Sequence, residues 1–213
     1  MKTKIFVVFV VAFVGCCATS RATITSASWN DDGDGAIVCS AWAFNNPNLT
    51  MAGNEYKSGP AHMLGWVTTD TAADPTLGLY SSVDNDTSFA WTSYQVNVYM
   101  AVPFSFVGSP GVNNDSIGDW TVSYSTPGTA PYLPGGEFPS EPYEATIDYT
   151  GGTPLAIGDE LDFNYAIHFA SATDYAFTQE MIPMGVPEPG DLGLASALLF
   201  GGIELVKRLR RKS

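Results

Sequence analysis

Positive charge is what this sequence has least of. Nine Lys and Arg stand against 22 Asp and Glu in 213 residues, and eight of the nine lie near the two ends. Between residues 23 and 185 Lys57 alone faces 19 Asp and Glu, a formal charge of −18. A field of that sign repels nucleic-acid phosphates and anionic lipid surfaces, so it excludes both as partners of the middle segment, and it attracts cations. Cysteine is nearly as scarce. Cys16 and Cys17 fall in an N-terminal apolar run, which leaves Cys39 by itself and excludes a disulfide framework. Histidine is limited to His62 and His168, both expected as solvated surface residues. Zinc-ligand spacing, a nucleophile elbow and a phosphate-cradling glycine loop are all missing, so no enzyme activity is indicated. Paired acids such as Glu141 and Glu144, or Asp159 and Glu160, read as solvated loop charges. Glycoside hydrolysis by two acids is the least favoured of the functional readings.

Both ends carry targeting signals. Lys2 and Lys4 precede the apolar run of residues 5–14, and Ser20-Arg21-Ala22 places small residues at the −3 and −1 positions of a signal-peptidase site. Residues 1–22 are therefore expected to be a signal peptide cut after Ala22. The competing reading, lipidation at Cys16 behind Phe13-Val14-Gly15, fits its pattern poorly.

At the other end, residues 186–213 have three parts in a fixed order. Pro187 and Pro189 lock φ and disfavour helix in the residue before each, so Pro187-Glu188-Pro189 is expected to be extended and accessible. Asp191 then stands at a helix N-cap position. Residues 192–206 are apolar except for Ser196 and Glu204. As a helix they would reach about 22 Å, a marginal membrane span. Gly193, Ala197 and Gly201 recur every four residues and share one face, where small side chains let another helix approach closely. Residues 207–213 end the chain with Lys207, Arg208, Arg210, Arg211 and Lys212. With Lys2 and Lys4 these basic residues sit where the positive-inside rule puts the cytoplasmic ends of a chain whose middle is exported.

This order of motif, apolar helix and basic end resembles the PEP-CTERM sorting domain of Gram-negative bacteria, with Pro187, Glu188 and Pro189 matching its motif. The resemblance covers the tail alone. It implies recognition by an exosortase, a membrane-embedded cysteine transpeptidase-like enzyme that cuts near the motif, and hence transit through the inner membrane to the cell surface or extracellular space. The small-residue face of the helix is expected to dock on that enzyme.

The middle, residues 23–185, is one domain by length. Its apolar residues alternate with polar ones, the period of half-buried strands, and no helical period competes. In 94–107, Val96, Val98, Met100, Val102, Phe104 and Phe106 form one face, with a break or bulge expected at Pro103 or else an edge position for the strand. In 161–169, Leu161, Phe163, Tyr165, Ile167 and Phe169 form another. Trp120, Val122 and Tyr124 make a third set, and Ala145, Ile147 and Tyr149 a fourth. Weaker candidates lie at 23–29, 37–44, 63–69, 88–92 and 175–179. Eight or nine strands in a domain of this size predict an antiparallel β-sandwich or jelly roll. The segments 45–61, 70–87 and 127–142 are expected as long joining loops, and 182–189 as the linker to the tail.

Asn30-Asp31-Asp32-Gly33-Asp34-Gly35 carries oxygen ligands at Asn30, Asp32 and Asp34 in the spacing of the first half of a calcium loop, with Asp84-Asn85-Asp86 as a distant source of further ligands. Ala41 stands where an EF-hand needs its bidentate Glu, so this is no EF-hand. The competing reading is a tight turn, in which Asp-Gly pairs supply positive φ. All five Trp and ten Tyr lie in residues 23–185. Trp120, Tyr149 and Tyr165 fall on apolar faces, while Trp29, Trp42, Trp66 and Trp91 are not assigned by period. Exposed members would make a carbohydrate-binding module the alternative function, with an extracellular polysaccharide as partner. Asn48-Leu49-Thr50, Asn85-Asp86-Thr87 and Asn114-Asp115-Ser116 read as polar turns that happen to be sequons. The reading of the whole is a non-enzymatic, exported structural or adhesive β-domain.

Overall fold

The computed structural model describes residues 22–113, 119–129 and 142–186. Pro187-Glu188-Pro189, the apolar run with Gly193, Ala197 and Gly201, the basic end, Glu141 and the signal segment up to Arg21 lie outside the described residues. Within them the chain forms thirteen strands and no helix.

The strands are β1 (Ile24–Asp31), β2 (Ile37–Asn45), β3 (Asn48–Glu55), β4 (Ala61–Thr69), β5 (Thr76–Asn85), β6 (Ala90–Met100), β7 (Phe104–Phe106), β8 (Gly111–Val112), β9 (Thr121–Tyr124), β10 (Gly128–Thr129), β11 (Tyr143–Leu155), β12 (Glu160–Phe169) and β13 (Asp174–Val186). They make two sheets. The first runs β1-β4-β13-β6-β11, with β9 and β10 both on the far side of β11. The second runs β2-β3-β5-β12, with β7 and β8 both on the far side of β12. Every pairing is antiparallel except β3 with β5, which is parallel. This all-β, two-sheet architecture fits a β-sandwich.

Alternation places the core. Leu161, Phe163, Tyr165, Ile167 and Phe169 of β12 are buried, as are Val96, Val98 and Met100 of β6 and Ala145, Ile147 and Tyr149 of β11. Trp29, Trp91, Tyr94, Tyr149, Phe169 and Phe177 are the bulkiest fully buried side chains. Trp29 meets Phe177 edge to face, with centroids 5.8 Å apart. Gly65 pairs with both across β1 and β13, and a Cβ there would sit 2.1 Å from the Phe177 ring. The glycine is what lets two large rings meet over one strand.

Several sequence expectations are corrected. Segments 45–61 and 70–87 are not plain loops but contain β3 and β5. The inward set of β3 is Leu49, Met51, Gly53 and Glu55, and that of β5 is Leu77, Leu79, Ser81 and Val83. A glycine, a serine and a carboxylate on the buried side erase the apolar alternation. Residues 88–92 do not form a separate strand, since Ala90, Trp91 and Thr92 begin β6. The break near Pro103 is a change of sheet, with β6 in the first and β7 in the second. Tyr124, expected on a buried face, is 46% exposed because β9 lies at a sheet margin, although its ring still meets Phe106 at 5.6 Å.

The described part of the expected linker 182–189, residues 182–186, is strand. β13 pairs with β4 only as far as Met181, but with β6 through to Val186. Pro183 therefore stands where one flank of the strand is already open, the position at which its missing N–H costs the sheet nothing.

Candidate functional site

Asn30, Asp32 and Asp34 lie at and just beyond the end of β1, and the structure uses the acids of this stretch as turn acceptors. Asp31 accepts from the Gly33 N–H at 3.1 Å and, through its other oxygen, from the Cys39 N–H at 2.9 Å. Asp32 Oδ1 accepts from the Asp34 N–H at 3.0 Å, and Asp34 Oδ1 from the Ala36 N–H at 2.6 Å. Gly33 and Gly35 supply φ values of 80° and 73°. That is the geometry of a tight Asx-rich turn. Asp84 and Asp86, the suggested distant ligands, instead accept from Asn54 at 3.2 and 2.9 Å. Among the described residues no group of three or more His, Cys, Asp or Glu gathers as a metal site, and the bonds seen at Asp31, Asp32 and Asp34 are those of the turn. Adding millimolar calcium, then chelator, is expected to leave the melting temperature unchanged. A rise with calcium that the chelator reverses would return Asp32 and Asp34 to the list of ligands.

Asp32 has a second role. Its Oδ2 lies 3.0 Å from His62 Nδ1, and His62 Nε2 lies 3.5 Å from Glu180 Oε1 on β13. His62 is thus buried between two carboxylates, not solvated as the sequence suggests. Glu180 Oε2 accepts from Asn97 at 2.7 Å and from Tyr99 at 3.2 Å, and Asn97 accepts from Thr146 at 2.9 Å. The result is a polar ladder across β4, β13, β6 and β11 on the outer face of the first sheet. The bond from His62 is the main cause that holds the Glu180 carboxyl below its usual range; burial opposes it and the bonds from Asn97 and Tyr99 assist. Partial burial pushes Asp32 up, but the Asp34 N–H and His62 outweigh it. With each ring nitrogen facing a carboxylate, the imidazole clamps the acidic turn to the centre of the sheet. His168, by contrast, is half-buried on β12, with Nδ1 3.4 Å from the Thr76 hydroxyl.

Two concavities adjoin these elements. One, of about 510 Å³, opens between the turn after β1, the β3–β4 connection and the β5–β6 connection, and is lined by Asp34, Tyr56, Lys57, Thr87 and Phe89. Lys57 there donates to the Asp34 carbonyl at 2.6 Å. The other, of about 330 Å³, lies on the second sheet and includes Thr50, Tyr80, Ser82, Asn113, Asp162 and Asn164. Asp159 caps a turn by accepting from the Ala156 N–H, whereas Glu160 joins Asp162 around the Ser82 hydroxyl. Burial, then the charges of Asp162 and Asp84, hold the Glu160 carboxyl above its ordinary value.

The tryptophans divide. Trp29, Trp91 and Trp120 are core, whereas Trp42 and Trp66 are nearly half exposed on different sheets. They do not make one aromatic strip. Sequence reasoning missed Tyr80, Asn113 and Asn164, whose convergence depends on β5 and β12 being neighbours with β8, just before Asn113, beside β12; the hint in the chain was an aromatic residue flanked on its own face by Gly78 and Ser82.

The fold and its polar surfaces thus define a two-sheet, all-β protein. No family model, no curated protein and no solved structure matches the chain.

Proposed function

We propose that this is an exported surface or extracellular-matrix protein, a non-enzymatic β-sandwich delivered through a PEP-CTERM-type tail. The observation that carries the reading is the order Pro187-Glu188-Pro189, apolar run and basic end, attached directly to a strand that lies within a sheet and runs to Val186. An exosortase-type enzyme in the inner membrane is the implied partner. The acidic domain suits an exported product, because its −18 field keeps copies apart and in solution. With β13 extending to the motif, a cut near Pro189 would release the sandwich with almost no unpaired chain.

The intact mass of the mature protein from its native host tests this. A chain starting at Thr23 and ending near Pro189 is the expected result. A mature protein that still ends at Ser213 would make residues 192–206 a permanent anchor and remove the processing step.

A second reading, carbohydrate binding, is favoured by the Tyr80 groove on the second sheet, where an exposed ring lies among amides, hydroxyls and a carboxylate.

A further inference from the structure

We infer that the outer face of the second sheet, around Tyr80, is a binding site for a neutral oligosaccharide. The inference rests on the carbohydrate-binding reading and gives it a place and a ligand class. The register builds the site. Ala43 of β2, Thr50 of β3, Tyr80 of β5, Asn164 of β12 and Gly111 of β8 are successive cross-strand neighbours, and so share one face. The adjacent row on that face is Ala41, Ala52, Ser82 and Asp162. One large ring therefore stands on a floor of small side chains, 44% exposed.

Two glycines shape the floor. A Cβ at Gly78 would lie 3.2 Å from the Tyr80 ring and 2.5 Å from Asn48 Oδ1, so the ring leans over bare backbone. A Cβ at Gly111 would lie 2.9 Å from Asn164 Oδ1, so the amide likewise leans across a glycine. The groove that remains, of about 330 Å³, carries the Asn164 and Asn113 amides, the Thr50 and Ser82 hydroxyls and the Asp162 carboxylate at its sides. Asp162 is held by the Ser82 hydroxyl at 2.6 Å.

That combination suits a pyranose. An aromatic face, negative at its centre, takes the slightly positive C–H face of a sugar ring, while amides and a carboxylate accept and donate to adjacent hydroxyls. The sign of the field selects within sugars. Asp84, Glu160 and Asp162 continue the same face, in a domain of charge −18, so uronic or sulfated chains meet repulsion that neutral chains do not.

Titration calorimetry on the full-length protein, in a detergent whose headgroup contains no sugar, tests the site with cellohexaose, maltohexaose and mannohexaose against an oligogalacturonate. Saturable binding of at least one neutral probe, with none of the galacturonate, is expected. Tyr80→Ala and Asn164→Ala should each weaken it at least about tenfold, the scale of a central contact, while Tyr80→Phe and Trp66→Ala leave it intact. Neutral binding that survives both Tyr80→Ala and Asn164→Ala removes the groove but leaves carbohydrate binding elsewhere. Tighter binding of the galacturonate overturns the ligand class. No binding of any probe overturns both the site and the carbohydrate reading.

Discussion

Replacing Glu55 with Gln should raise the melting temperature strongly at about pH 9 and very little at about pH 4. Glu55 is the last residue of β3, points inward and is completely buried. Its Oε2 accepts from the Tyr94 hydroxyl at 2.5 Å, and its Oε1 has no hydrogen-bond partner among the described residues. Burial pushes the carboxyl up to about 8, and the single bond from Tyr94 pulls only weakly the other way. The folded carboxyl therefore keeps its proton at pH values where the unfolded one has lost it. Stability is fully retained below the unfolded value, falls as pH rises through the interval between the two, and levels off above about 8. A shift of that size corresponds to roughly 5 kcal/mol at the alkaline limit. Gln removes the ionisation and can keep the acceptor for Tyr94, so its advantage should grow across the same interval. An advantage that is equal at both pH values would show that burial does not raise the Glu55 carboxyl in the fold.

The ladder on the first sheet has the opposite sign. Glu180 and Asp32 are both held below the usual carboxylate range, so their contributions are present above the unfolded values and are lost as the pH falls. The fold is thus loosened from both sides, by Asp32 and Glu180 in acid and by Glu55 in base. The two sets contribute together only just around the unfolded carboxyl values, since the Glu55 contribution shrinks steadily from there up to about 8.

What the sequence revealed depended on how completely each strand separated its faces. β12, β11 and β6 keep apolar side chains inward at nearly every second position, and those elements and their core residues were legible. β3 and β5 put Gly53, Glu55 and Ser81 inward, and without a continuous apolar face they read as loops. β13 is a different case. Pro183 looked like the end of the element, but pairing on one flank alone tolerates it. The polar site was less legible still. His62, Asp32 and Glu180 are far apart in the chain and meet only because β4 lies between β1 and β13. The Asp-Gly stretch was legible as a turn, because its glycines and aspartates interact within six residues. The Tyr80 groove was not, because its floor comes from five strands.

Asn85 shows the same contrast in one residue, and its removal should be among the most damaging single changes. In the sequence, Asn85-Asp86-Thr87 is a polar tripeptide of the kind found in exposed turns. In the fold the Asn85 side chain is completely buried. Its Nδ2 donates toward the carbonyls of Phe89, Leu155 and Ala156 at 3.0 to 3.2 Å, so at least one proton is shared. Its Oδ1 accepts from the Thr87 N–H at 3.1 Å and the Thr87 hydroxyl at 2.6 Å. Thr87 Oγ1 in turn accepts from the indole of the buried Trp91 at 3.1 Å. The Asn85 backbone joins in, donating to the Asp159 carbonyl at 2.9 Å and accepting from the Gly158 N–H at 2.7 Å. One amide thus fastens the β5–β6 turn of the chain to the β11–β12 turn. Asn85→Ala takes the amide from three carbonyls and from the Thr87 N–H, although the Phe89 and Ala156 carbonyls keep the Thr87 hydroxyl and the Asp159 N–H as donors, and should cost about 2–4 kcal/mol, seen as a lower urea midpoint at unchanged slope. Asn85→Asp keeps the acceptor but loses both donor protons and faces three carbonyls with a carboxylate, so it should do no better than alanine at neutral pH. A loss below about 1 kcal/mol for Asn85→Ala would mean that the two turns hold their positions without the amide, and that Trp91 rather than Asn85 fixes this end of the sandwich.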